Sequence, residues 1–122
     1  MERIKQFSRS ISYAFRGLKY TVKNEKNFQN ELFIGFLVVL AMIYFQTTRT
    51  ETVVLIIIIM AVLIMELLNT IMERVVDILK PRVHPYARLI KDLMAASVLV
   101  AALLAVIVGL LIFLPYVFPK VF

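Results

Sequence analysis

The chain has no cysteine, a single histidine and only three glycines among its 122 residues. Without cysteine there is no disulfide, no thiolate nucleophile and no sulfur-ligated metal, so any metal is expected on oxygen ligands. Gly17, Gly35 and Gly109 stand too far apart to build a Walker loop or a glycine-rich kinase loop. A phosphate handled here therefore needs metal and cationic side chains in place of a backbone cradle. His84 lies between Pro81 and Pro85 in a basic segment, where a lone histidine is more often a surface residue than a ligand. The N-terminal region has no apolar core followed by a small-residue cleavage site, so no signal peptide is expected there. Internal repeats, linkers and low-complexity tracts are also missing, and residues 1–122 read as one domain.

What is abundant is apolar surface. A hydrophobic content of 61% and a mean hydropathy of +0.88 exclude an ordinary soluble domain of this size, which could not hide so much apolar side chain. Apolar stretches at about Leu32–Gln46, Thr52–Leu79 and Leu93–Leu114 place transmembrane helices at about 29–47, 52–79 and 90–114. Each is near or above the roughly 20 residues that a rise of 1.5 Å per residue requires to cross about 30 Å of hydrocarbon. Pro115 and Pro119 are expected to end the last span.

The net charge of +6 is concentrated beside these segments rather than on a soluble face, so anionic lipid headgroups are the expected counter-charge and nucleic acid is not. Arg3, Lys5, Arg9, Arg16, Lys19, Lys23 and Lys26 precede the first span, whereas Arg49 alone separates the first from the second. This asymmetry puts the N-terminus in the cytoplasm, the 46–51 turn outside, the 80–91 segment back inside and the C-terminus outside. Within residues 1–28, Ile4, Phe7, Ile11, Phe15, Leu18 and Val22 recur every three or four positions. That pattern reads as an amphipathic helix lying in the membrane interface, the alternative being a cap on the bundle.

The second span carries the chemistry. No charge interrupts it from Thr52 to Met65, and then Glu66, Asn69, Thr70, Glu73 and Asp77 follow on its hydrophobic continuation. At about 100° per residue these fall at roughly 0°, −60°, +40°, −20° and +20°, one narrow stripe. Leu67, Leu68, Ile71, Met72 and Val75 are left for lipid or partner helices. A carboxylate at the centre of a membrane helix costs about 2.5–3.5 kcal/mol on insertion scales, so a row of them points to use. Counting from Thr52, Glu73 reaches the inner interface and Glu66 lies about 10 Å deeper. Glu25, Glu31, Lys91 and Asp92 come to a similar inner level, with depth alone leaving Glu25 and Glu31 equivalent. Paired oxygens there suit Mg²⁺, which takes carboxylates together with phosphate oxygens and water. Thr70 is expected to hydrogen-bond between helices, and Arg74 and Asp77 to be solvated helix-end charges.

The stretch Glu66-Leu67-Leu68-Asn69-Thr70-Ile71-Met72-Glu73, then Val76-Asp77, then Lys91-Asp92 resembles the small prokaryotic diacylglycerol kinase family. His84-Pro85, Ala87 and Lys91-Asp92 are most similar to its Gram-positive undecaprenol kinase branch, and the likeness runs from Asn24-Glu25-Lys26-Asn27-Phe28 to Gly109–Pro115. Ile71-Met72 replace the family's usual small Ala-Ile. The resemblance implies a homotrimer of three-helix subunits that transfers the γ-phosphoryl group of ATP to a lipid hydroxyl with Mg²⁺, at sites shared between subunits. By position it implies Glu66 as catalytic base and Glu25 and Glu73 as metal ligands. It further implies nucleotide contacts at Tyr13, Glu25, Glu73, Arg82, His84, Lys91 and Asp92, and substrate contacts at Glu31, Glu66 and Asn69.

The expectation is thus an all-α integral membrane protein, with three transmembrane helices plus the N-terminal interfacial helix. Its expected activity is ATP- and Mg-dependent phosphorylation of undecaprenol, or alternatively of diacylglycerol. A small proton-coupled transporter also uses a membrane glutamate, but the acids here gather at one face instead of forming a midplane site reachable from both sides. A non-enzymatic scaffold would not need Glu66 at all.

Overall fold

A computed structural model describes residues 1–79 and 85–122. All regular structure among them is helical: α1 (Glu2–Asn24), α2 (Lys26–Phe45), α3 (Arg49–Leu79) and α4 (Pro85–Val117). The last three are each long and apolar enough to cross a bilayer, and the protein is a multi-pass membrane protein by that architecture. The amphipathic segment ends at Asn24 rather than near residue 28, because the chain becomes extended at Glu25 (φ −107°, ψ 107°) and re-enters helix at Lys26. That earlier start brings Asn27, Phe28, Asn30 and Glu31 into the register of α2.

Helix α3 is the centre of the assembly, with α4 packed along it and α2 against it, while α1 reaches the bundle through α2. The buried apolar residues are few, namely Phe28, Met42, Leu55 and Val76, and α4 has no buried residue at all. For a soluble protein this would be an unfinished core. Apolar side chains such as Val100, Leu103, Ile107 and Leu111 on α4 are instead exposed, where lipid or another membrane helix satisfies them. Gly35 lets α2 approach α3 closely, since a Cβ at that position would stand 3.2 Å from Ile59 Cγ2.

Both ends of the last helix also differ from the sequence expectation. Pro115 does not end the last helix, which continues to Val117. Proline lacks one amide donor, and in the final turn of a helix that loss removes a single bond without breaking the helix. The N-terminal end of the same helix starts at Pro85, five residues before the expected position, with proline as the first helical residue, where its missing N–H costs nothing.

The α2–α3 turn is built from side chains. Gln46 closes α2 in the left-handed region (φ 51°, ψ 56°), and the Thr47 N–H donates to the Met42 carbonyl at 3.2 Å. Thr48 and Glu51 then form a reciprocal cap on α3: the Thr48 N–H donates to Glu51 Oε1 at 2.9 Å and the Glu51 N–H to Thr48 Oγ1 at 3.2 Å. The Tyr116 hydroxyl of α4 also donates to Glu51, and Phe45 packs against the rings of Phe113 and Tyr116 at 6.0 and 5.6 Å. All three spans are tied together at this end.

Candidate active site

At the opposite end of the bundle the polar stripe of α3 turns inward. Glu66, Asn69 and Thr70 are 3%, 7% and 7% exposed, whereas Glu73 is half-buried and Asp77 is exposed. Leu68, Ile71 and Val75, on the other side of the helix, are exposed. The helical period alone produces this division, because residues at i, i+3, i+4 and i+7 share one face. The Thr70 hydroxyl donates to the Glu66 carbonyl of its own helix at 3.0 Å, so it does not make the expected bond between helices. A threonine back-bonding to the residue four earlier satisfies itself locally and leaves no reach for a neighbour.

Glu66 and Asn69 line a recess of about 360 Å³ together with Asn27, Asn30 and Glu31 of α2, with Ala95, Val98, Leu99 and Ala102 of α4 as its apolar wall. The Glu31 and Glu66 carboxyls interact across it, and Glu73 and Glu25 act on Glu66 electrostatically. Asn69 Nδ2 donates to Glu73 Oε1 at 3.2 Å, fixing the amide so that Asn69 Oδ1 is an acceptor. Asn69 Oδ1 and Glu31 Oε2 are buried with no hydrogen-bond partner among the described residues. Both residues border the recess, and buried polar atoms are normally paired, so the two unpartnered oxygens mark it as a place that receives a donor.

A second cavity, about 340 Å³, continues from this recess. Glu31 and Ala102 border both. Its walls are otherwise apolar, running past Ile34 and Val38 on α2, Val62 and Leu55 on α3, and Val106 to Phe113 on α4. Together they make a polar pocket adjoining an apolar groove that follows the helices toward the Tyr116 end.

Glu25, at the α1–α2 junction, accepts from the Arg74 guanidinium of α3, an ion pair whose side chains are 16% and 47% exposed respectively. Tyr20 of α1 and Glu73 interact with the same guanidinium. Arg74 is thus not the solvated helix-end charge that sequence position implies. Lys91 Nζ donates to Asp77 Oδ1 at 2.7 Å, joining α4 to α3, and Asp77 likewise has a partner. Asp92 is exposed on α4. Tyr13 is 61% exposed on α1 under the Arg16 guanidinium, 5.6 Å from its ring centroid, and does not line the recess. Arg82 and His84 lie outside the described residues.

For a divalent cation the donors are right in kind. Glu25 and Glu73 are hard oxygen ligands that act on one another's neighbours, Glu66 and Arg74. No group of three or more acidic or histidine ligands occurs among the described residues. A site of one or two carboxylates completed by phosphate and water suits magnesium better than an all-protein cage.

A family model described as prokaryotic diacylglycerol kinase matches residues 12–113, which include every residue that lines the recess. The chain belongs to the prokaryotic diacylglycerol kinase family. It is 37% identical over 119 residues to the undecaprenol kinase of Bacillus subtilis (strain 168), spanning 92% of this chain and 91% of that one. It is also 37% identical over 107 residues to a diacylglycerol kinase of Synechocystis, spanning 87% of this chain and 61% of the relative. A Haemophilus influenzae diacylglycerol kinase is 33% identical over 106 residues, spanning 85% and 90%. As a member of the diacylglycerol kinase family, this chain is a membrane lipid kinase, a phosphotransferase with an alcohol group as acceptor. For such a kinase, a polar pocket grading into an apolar groove can hold a hydroxyl and its hydrocarbon at once. Asn27 and Asn30 were the wall residues that sequence reasoning passed over, though their spacing from Glu31 on one helical face carried the signal.

Proposed function

We propose that the protein is an undecaprenol kinase of the bacterial cell membrane, transferring the γ-phosphoryl group of ATP to undecaprenol to give undecaprenyl phosphate and ADP. The observation that carries this reading is the adjacency of the carboxylate recess and the apolar groove, which share Glu31 and Ala102 as wall residues. Similarity over 92% of the chain to an undecaprenol kinase favours that acceptor. Diacylglycerol, the acceptor named for other relatives, is the alternative.

Glu66 is the base. Its buried carboxylate takes the hydroxyl proton as the lipid oxygen attacks the γ-phosphorus; the new P–O bond forms, the bond to the bridging oxygen breaks and ADP departs with its electron pair. Glu31 and Asn69 orient the hydroxyl through the acceptors that the recess leaves unpaired. Glu25 and Glu73 would hold Mg²⁺, which would supply neutralisation of the phosphate charge. Lys91, Asp92, Arg82, His84 and Tyr13 complete the nucleotide site, with the cations offsetting charge on the transferring group.

Each subunit is one domain, residues 1–122, and the working unit is a homotrimer with sites shared between subunits, a reading supported by the unburied apolar face of α4. Helix α1 lies along the cytoplasmic surface. Exposed Ile4, Phe7, Phe15 and Leu18, together with its lysines and arginines, support contact with acyl chains and anionic headgroups there. The N-terminus and active site face the cytoplasm and the C-terminus faces out.

Purified protein offered undecaprenol and diacylglycerol side by side tests the acceptor, with undecaprenol expected to give the higher kcat/KM. Preference for diacylglycerol would reassign it. In the same assay Glu66→Gln is expected to lose about 10²- to 10⁴-fold in kcat, the usual worth of a positioned base, while nucleotide binding persists. Normal turnover in that variant would remove Glu66 from the role.

A further inference from the structure

Arg74 holds a position that the proposed chemistry does not use. Its guanidinium reaches across 49 residues of sequence to the Glu25 carboxylate and also acts on Glu73, so one fixed positive charge serves both glutamates assigned to the metal. Glu25 is the more buried partner, 16% exposed against 47% for Arg74, so the arginine is the member of the pair that meets solvent. A guanidinium and a divalent cation compete for the same oxygen lone pairs. A bare cation arriving at Glu25 must therefore displace the arginine, whose remaining carboxylate neighbour is Glu73, the second glutamate assigned to the metal.

We propose that Arg74 is a positioning residue that occupies Glu25 in the nucleotide-free enzyme and transfers to a phosphate oxygen when metal and nucleotide arrive together. Guanidinium geometry suits this exchange, since the same planar fork of N–H donors fits a carboxylate or a phosphate. The consequence is that metal enters with the triphosphate and not before it. The proposal rests on the metal role of Glu25 given above.

Mn²⁺ binding to nucleotide-free protein in detergent, followed by electron paramagnetic resonance, tests it without turnover. Removing a half-exposed charge beside a carboxylate is expected to tighten Mn²⁺ binding about fivefold in Arg74→Gln, given the modest size of partly solvated charge interactions. The same variant should show a raised KM for Mg-ATP, and Arg74→Lys should fall between it and the parent. Arg88→Gln, which removes an exposed cation from the same end of α4, should change neither quantity. An unchanged Mn²⁺ affinity in Arg74→Gln, or an equal change in Arg88→Gln, overturns the proposal and leaves Arg74 a tether between the α1–α2 junction and α3. Adding Glu25→Gln to Arg74→Gln separates the two readings. If the double variant keeps the tightened Mn²⁺ binding of Arg74→Gln, the metal role of Glu25 fails, and the exchange with it.

Discussion

A single hydrogen atom in place of a side chain at Gly35 sets how close α2 comes to α3 and how wide the apolar groove is, because Gly35 lines that groove. Gly35→Ala places a methyl 3.2 Å from Ile59 Cγ2, a contact that a small shift of the isoleucine relieves. Gly35→Leu cannot be relieved so cheaply, and overpacking of this kind costs about 1–3 kcal/mol. Denaturation in mixed micelles should show the leucine variant destabilised by that amount. Its KM for the lipid alcohol should rise while its KM for ATP holds, since the nucleotide side of the recess is untouched. The glutamates and Asn69 were legible as one stripe because a helix repeats about every 3.6 residues and the order of residues is enough to place them. Arg74 was not, because its partner lies 49 positions away across a chain reversal that no local pattern encodes.

Helix boundaries obey a different logic, that of the groups left over at their ends. Gln46 adopts a left-handed conformation that favours glycine, costing an L-residue about 1–2 kcal/mol. Gln46→Gly is therefore expected to raise the stability of the α2–α3 hairpin, offset in part by glycine's extra freedom when unfolded, for a net gain of about 0.5–1 kcal/mol. Glu51→Ala, by contrast, removes half of the reciprocal cap on α3 and the anchor for Tyr116, and should lose at least about 1 kcal/mol. Thermal unfolding of the purified variants checks both signs. The three spans were predictable from apolar length alone, whereas their ends were not. Pro115 reads in sequence as a stop, yet the last turn of a helix tolerates it, and Lys26 reads as a flank, yet it opens α2.

For the whole molecule, the orientation rests on where the basic residues lie, and the lack of cysteine makes it directly measurable. Single cysteines substituted for Lys5 and Lys120 provide the test, with no background thiol to subtract. A membrane-impermeant maleimide applied to intact cells should label position 120 at once and position 5 only after permeabilisation; the reverse pattern would invert the topology. The same preparation, weighed in detergent, should have three times the mass of one chain.

The 33 residues of α4 and 31 of α3 correspond to rods of about 50 and 46 Å, against about 30 Å of hydrocarbon. Because Glu51, Phe45 and Tyr116 pin one end of both rods at a common level, the surplus accumulates at the other end. On the proposed orientation the two rods would stand clear of the oil there, as a short pier carrying Asp77, Lys91 and Asp92. With the nucleotide contacts proposed for Lys91 and Asp92, a water-soluble nucleotide would moor to it without shedding its hydration for the bilayer, while the lipid remained below.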